Sequence, residues 1–153
     1  MKSDRALPSL AILLCLPLTS WAGEPIIAGK QYPGGSELRL EGVNADFTVP
    51  DGWIGLLPVG GDSFVLRSTQ RAGMMQVFLT PGDQATLADS MASVVSVEDD
   101  VNLIPVKEPK VTTGRITNSY YVTNTNVPSK GYAVGLTAQG DYGIGIIGVG
   151  PME

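Results

Sequence analysis

From Glu37 onward the chain alternates between apolar and polar positions. Leu38 and Leu40 stand among Glu37, Arg39 and Glu41, and Phe47 and Val49 repeat the pattern after Gly42 to Asp46. A period of two belongs to a strand with one face in water, so the two runs are expected to pair as a hairpin. Pro50-Asp51-Gly52-Trp53 ends the second run, because proline fixes φ and Asp-Gly takes turn conformations readily; Trp53 is expected to close one end of the core. Apolar-rich runs at Ile54 to Leu57, Ser63 to Ser68 and Met74 to Thr80 follow, separated by Gly60-Gly61-Asp62 and Gln70 to Gly73. Short strands on short turns predict an antiparallel meander.

The pattern changes period once. Over Thr80 to Val95, Leu87, Ala88, Met91, Ala92 and Val95 recur at spacings of three and four, which predicts an amphipathic helix with one apolar stripe. Thr80 is the expected cap, Pro81 suits the first helical position, and Asp83 completes an acidic variant of the capping box. Strand patterns then resume at Val101 to Val106, Arg115 to Thr125, Tyr132 to Ala138 and Gly143 to Val149, with turns at Pro109 to Gly114, Asn126 to Gly131 and Gln139 to Tyr142. Several strands, one central amphipathic helix and no βαβ alternation predict an α+β domain built on a mainly antiparallel sheet. Gly23 to Ser36, with Pro25, Pro33 and Gly34-Gly35, reads as an arm or linker. The domain proper is expected over 37–153.

Before that arm, Lys2 and Arg5 precede the apolar block Leu10 to Leu16, and Ser20-Trp21-Ala22 puts small residues at the two positions a signal peptidase reads. Residues 1–22 therefore read as a signal peptide with cleavage before Gly23, and the protein as periplasmic or secreted. The block falls short of the roughly 20 apolar residues a spanning helix needs, so no membrane span is expected. Leu14 before Cys15, with apolar residues continuing after it, argues against a lipidated cysteine.

Cleavage would change the chemistry available. The chain has one cysteine and no histidine, and Cys15 leaves with the signal. Disulfides and thiolate or imidazole metal sites are thereby excluded from the exported chain. The 10 basic and 15 acidic residues give a net charge of −5, and loss of Lys2, Arg5 and Asp4 makes it one unit more negative. Nucleic acid is not an expected partner at that sign, since lysine and arginine must neutralise phosphates.

No side-chain motif calls for catalysis. Gly143-Ile144-Gly145-Ile146-Ile147-Gly148 matches the dinucleotide-binding glycine pattern by letter, but that pattern requires a helix opening from the glycine turn, with an acidic residue further on. Here it reads as a glycine-rich strand that another element approaches closely. Ser-x-x-Lys and Gly-x-Ser-x-Gly do not occur, and Ser129-Lys130 reads as a solvated turn. Glu98-Asp99-Asp100, with Asn102 nearby, offers oxygen ligands without the spacing of a calcium loop, so a wet turn is expected. No catalytic, cofactor-binding or metal residue is assigned. Two carboxylates alone suffice for a glycosidase, which keeps a carboxylate-based hydrolase open. Trp53, Tyr120, Tyr121, Tyr132 and Tyr142 are candidates for a ligand surface; core positions are the other reading, favoured for Trp53.

Phe47-Thr48-Val49-Pro50-Asp51-Gly52-Trp53, the Thr80-led helix ending near Val95 and the Gly131 to Gly150 hairpin together resemble the PsbP/Mog1-like superfamily over most of 37–150. The resemblance implies a helix on each side of an antiparallel sheet, and assembly, adaptor or binding roles in place of catalysis. The expected function is then an exported, non-enzymatic binding or assembly/adaptor protein of the cell envelope; an immunity-type inhibitor of an exported toxin is the alternative beside the hydrolase. Only one helix is expected here, yet Ile144, Ile146, Ile147 and Val149 fall on both sides of their strand, as do Ala133 and Val134. An uncovered second face would exceed the few hundred Å² of apolar patch usual on a monomer. The arm with Ile26 and Ile27, a second copy of the chain or a partner protein is expected to cover it.

Overall fold

The computed structural model describes residues 23–43, 45–98, 101–137 and 142–152. The proposed signal segment, Asp99-Asp100 of the acidic turn and most of the Gln139 turn lie outside them. In chain order the elements are β1 (Glu24–Pro25), β2 (Gln31–Pro33), β3 (Glu37–Leu40), β4 (Ala45–Thr48), β5 (Trp53–Leu56), β6 (Ser63–Ser68), β7 (Met74–Pro81), α1 (Gln84–Met91), β8 (Val95–Glu98), β9 (Val101–Pro105), β10 (Lys110–Thr112), β11 (Arg115–Val122), β12 (Ser129–Thr137) and β13 (Tyr142–Pro151). A large antiparallel sheet runs β2-β5-β6-β7-β13-β12-β11-β9-β8, with β10 also on β11, and curls into half a barrel. A small second sheet orders β1-β3-β4, in which β1 and β3 are parallel and Leu38 lies opposite Phe47 in the expected hairpin. After β7 the chain runs through α1 to the far edge at β8, then meanders back until β13 pairs with β7.

This topology places two cores on opposite faces of one sheet. Tyr32, Phe64, Leu66 and Val77 pack against Leu38, Leu40, Val43 and Val49 of the small-sheet side. On the other face, Leu87 and Met91 of α1 pack onto Leu103, Ile116, Tyr120, Ala133 and Ile147. The two central strands serve both. Val77 belongs to the first core and its neighbour Phe78 packs on the second, and Ile146 and Ile147 divide in the same way, because successive strand residues point to opposite faces. Apolar residues on both sides of β13 therefore reflect a layer above and a layer below.

The helix differs from its expected bounds. Thr80 and Pro81 are in β7, paired with Gly143 and Tyr142, so they extend the sheet instead of opening the helix. The cap is Asp83, whose carboxylate accepts a hydrogen bond from the Thr86 amide at 3.0 Å. Gly82 makes the break possible at φ +125°, a conformation side-chain-bearing residues rarely adopt. The far end stops at Met91, and Val95 and Val97 join β8, where β-branched side chains pack well. Leu87 and Met91 face the sheet as expected; Val95 does so from a strand.

Residues 23–36 are not a free connector. They supply β1 and β2, and Tyr32 is buried in the first core. Its hydroxyl accepts from the Ile27 amide at 2.7 Å and donates to the Pro25 carbonyl at 3.2 Å, tying the segment to itself. β8 and β10 were not legible as strands: β8 starts at the last residue of the expected helix and runs up to the acidic turn, and β10 lies inside the Pro109 to Gly114 turn.

Candidate functional site

Ladder register determines which side chains share a face. Lys130, Tyr132, Val134 and Leu136 of β12 lie on one side, opposite Gly150, Gly148, Ile146 and Ile144 of β13. Tyr132 pairs with Ser119, and Lys130 with Tyr121, which itself lies opposite Ile104 of β9. This face continues the one that the small sheet covers over β2, β5, β6 and β7. The arm helps there, since Ile26 packs against the first core, but Ile27 is exposed. Neither reaches β12 and β11. Tyr121 is 66% exposed and Tyr132 49%, with Leu136, Ile104 and Tyr142 also exposed.

The glycines of β13 explain the relief of this surface. Gly143 and Gly145 point to the helix side, where a Cβ on Gly143 would stand 2.9 Å from Leu87 and one on Gly145 would overlap the ring of Phe78. Gly148 follows Gly145 by three positions, and with a strand period of two that odd interval flips the face. Gly148 and Gly150 therefore open onto the uncovered side, where a Cβ on Gly150 would meet nothing within 4 Å. They floor a hollow of about 400 Å³ whose walls include Trp53 and Met75 on one side and Tyr132 and Val134 on the other. A second hollow, of about 830 Å³, adjoins it beyond Tyr132 and is lined by Tyr121, Ser119, Asn124, Thr125 and Met152.

Lys130 lines both hollows, and among the described residues neither has an acidic lining side chain. Among the described residues the short ion pairs include Lys30–Glu24 at 2.6 Å and Arg39–Asp46 at 3.1 Å, and neither involves Lys130. Lys130 also reaches an adjoining hollow at the strand ends, where Asp51 and Arg71 are lining residues. The arrangement offers apolar contact, aromatic edges and one exposed positive charge; among the described residues no nucleophile is hydrogen-bonded to a base there.

The candidates from sequence separate cleanly. Tyr121, Tyr132 and Tyr142 are on the uncovered face, whereas Tyr120 is buried on the helix side and donates its hydroxyl proton to the Met91 carbonyl at 2.6 Å. Trp53 is half-buried, packing on the first core while walling the hollow. The glycine run is a strand closely approached by Leu87 and Phe78, as expected. Ser129 and Lys130 lie in β12, not in a turn, with opposite orientations; the alternation that separates them also aims Lys130 at the hollows. Asp99 and Asp100 fall outside the described residues, and no group of metal-binding side chains occurs among the described ones. A further hollow, of about 200 Å³, is lined by Glu41 and Asp62 beside Arg39, smaller than the ~300–1,000 Å³ of typical ligand pockets. Lys130, Met75, Gly148 and Gly150 were missed by sequence reasoning. The odd interval between Gly145 and Gly148 was the available signal.

Among the described residues no helix is long and apolar enough to cross a membrane. Comparison of the chain with protein-family models, curated proteins and solved structures finds no match.

Proposed function

We propose that this chain is an exported, non-enzymatic binding protein of the cell envelope, and that the uncovered face of β11 and β12, with the Gly148–Gly150 end of β13, is where it holds its partner. One observation carries the reading: Tyr121, Tyr132, Leu136 and Ile104 are presented together on a sheet face that neither the helix nor the small sheet covers. Contiguous exposed apolar surface of this kind marks interaction sites, and tyrosine gives large contact area with little side-chain entropy to lose. The export pattern of residues 1–22 and the PsbP/Mog1-like order of elements support the same reading.

The test compares residues 23–153 with a Tyr121→Glu/Tyr132→Glu variant for retention of envelope components, after confirming equal melting temperatures. The wild type is expected to retain a component that the variant loses. Identical retention profiles would refute a binding role for this face.

A further inference from the structure

Resting on that binding reading, we infer that the hollow floored by Gly148 and Gly150 takes a free single-chain fatty carboxylate, with its tail over the two glycines and its head at Lys130. The two hollows adjoin along one face and meet at Tyr132 and Lys130, an elongated shape that suits a chain more than a compact ring system. The smaller one has an aliphatic lining in Met75, Val134 and Ile146, and a flexible thioether adapts to a tail of variable path. Its volume of about 400 Å³ falls within the ~300–1,000 Å³ of small-molecule sites, which pair apolar walls with a few placed polar groups.

Charge narrows the ligand further. The whole chain is acidic, yet among the described residues Lys130 is the only charged one lining either hollow. Lys130 is exposed, so a neutral head gains nothing from its charge, an anionic head is attracted and a cationic head is repelled. A second copy of this chain is disfavoured too: a twofold contact sets the same patch against itself, and among the described residues neither hollow has a lining carboxylate to set against Lys130. Ser119, opposite Tyr132 and lining the larger hollow, places a hydroxyl beyond Lys130 on the side of the head.

The probes are laurate, dodecanol and dodecyltrimethylammonium, which share a tail and differ in head charge, titrated into residues 23–153 by calorimetry below their micellar concentrations. Laurate is expected to bind most tightly and the cation least, with the preference for laurate shrinking as salt rises. Lys130→Gln should weaken laurate roughly tenfold, to the dodecanol level, an amount that corresponds to about 1.4 kcal/mol, and leave dodecanol unchanged. Gly150→Leu fills open space and should abolish binding of all three without lowering the melting temperature. Equal affinity for laurate and the cation, or indifference to both substitutions, overturns the proposal. Binding to phosphatidylglycerol vesicles without binding to laurate overturns it in favour of a membrane surface. Retention of an envelope protein by the Tyr121/Tyr132 face without laurate binding sinks the carboxylate and leaves the binding reading standing; loss of both sinks both.

Discussion

Phe78 lays its ring on Gly145, its partner across the β7–β13 ladder, so closely that any Cβ at 145 would overlap the ring. The contact seals the second core where two central strands meet, and it makes one glycine of β13 a packing requirement. Gly145→Ala is expected to destabilise the protein by about 1–3 kcal/mol, the usual range for overpacking. Gly148→Ala should be close to neutral, because its Cβ would stand at an ordinary 3.5 Å from Met75. Urea melts of the two variants check this, and equal losses would contradict the assignment of the glycines to opposite faces.

Met91 and Asp89 offer a similar contrast on α1. Met91 is buried against the sheet and Asp89 is exposed. Met91→Ala should cost roughly 2–5 kcal/mol, and Asp89→Ala should lie within about 0.5 kcal/mol of wild type. Equal denaturant midpoints for the two would show the helix to be misregistered.

The Met91 carbonyl accepts from the Tyr120 hydroxyl at 2.6 Å and from the Asn118 amide at 2.8 Å, two donors anchoring the end of the helix to β11. Tyr120→Phe should cost about 0.5–1.5 kcal/mol, and adding Asn118→Ala should cost more than the sum of the two single changes, because the carbonyl then loses both donors. Burial pushes the Tyr120 phenol above its ordinary value. The unfolded chain then ionises first, so this contribution is complete below about pH 10 and is lost as pH rises through the folded value. Tyr120→Phe should flatten the alkaline arm of the stability profile.

Asp83 has the opposite sign. The Thr86 amide, helped by the Thr86 hydroxyl, holds its carboxyl below the usual range. The unfolded chain takes up the proton first as pH falls, so the cap stabilises fully above about pH 4 and fades as pH drops through the folded value. Asp83→Asn keeps a capping oxygen and should remove that acid dependence while preserving the helix at neutral pH, as followed by circular dichroism.

The exported protein is expected to begin at Gly23. Amino-terminal sequencing of the material outside the cytoplasm decides it. A start at Met1 or at a lipid-bearing Cys15 would refute the cleavage reading.

Alternation along the chain was enough to locate β3 and β4 as a hairpin, β5 to β7 as a meander and the long strands β11 to β13, since each of these signals is local and strong. Leu87 and Met91 were legible as the buried stripe of the helix for the same reason. Its start was not: Thr80-Pro81 satisfies the local rules for a cap, but the ladder to Gly143 and Tyr142, far along the chain, draws both residues into β7. Tyr32 shows the same limit in the arm, where a Pro- and Gly-rich segment carries little pattern of its own and becomes ordered by pairing with β5.

By itself the sequence determined the period of each segment, the absence of histidine, and the parity by which Gly143 and Gly145 oppose Gly148 and Gly150. Only the tertiary structure decided which parity is covered. Strand period is a property of neighbouring residues, whereas cover depends on strand order: β13 returns to β7, α1 fills one face of the returning meander, and the small sheet stops short on the other. Burial of a face requires a second layer brought from a distant part of the chain, so Lys130, Trp53 and Tyr132 become neighbours of one hollow only once that order is in place.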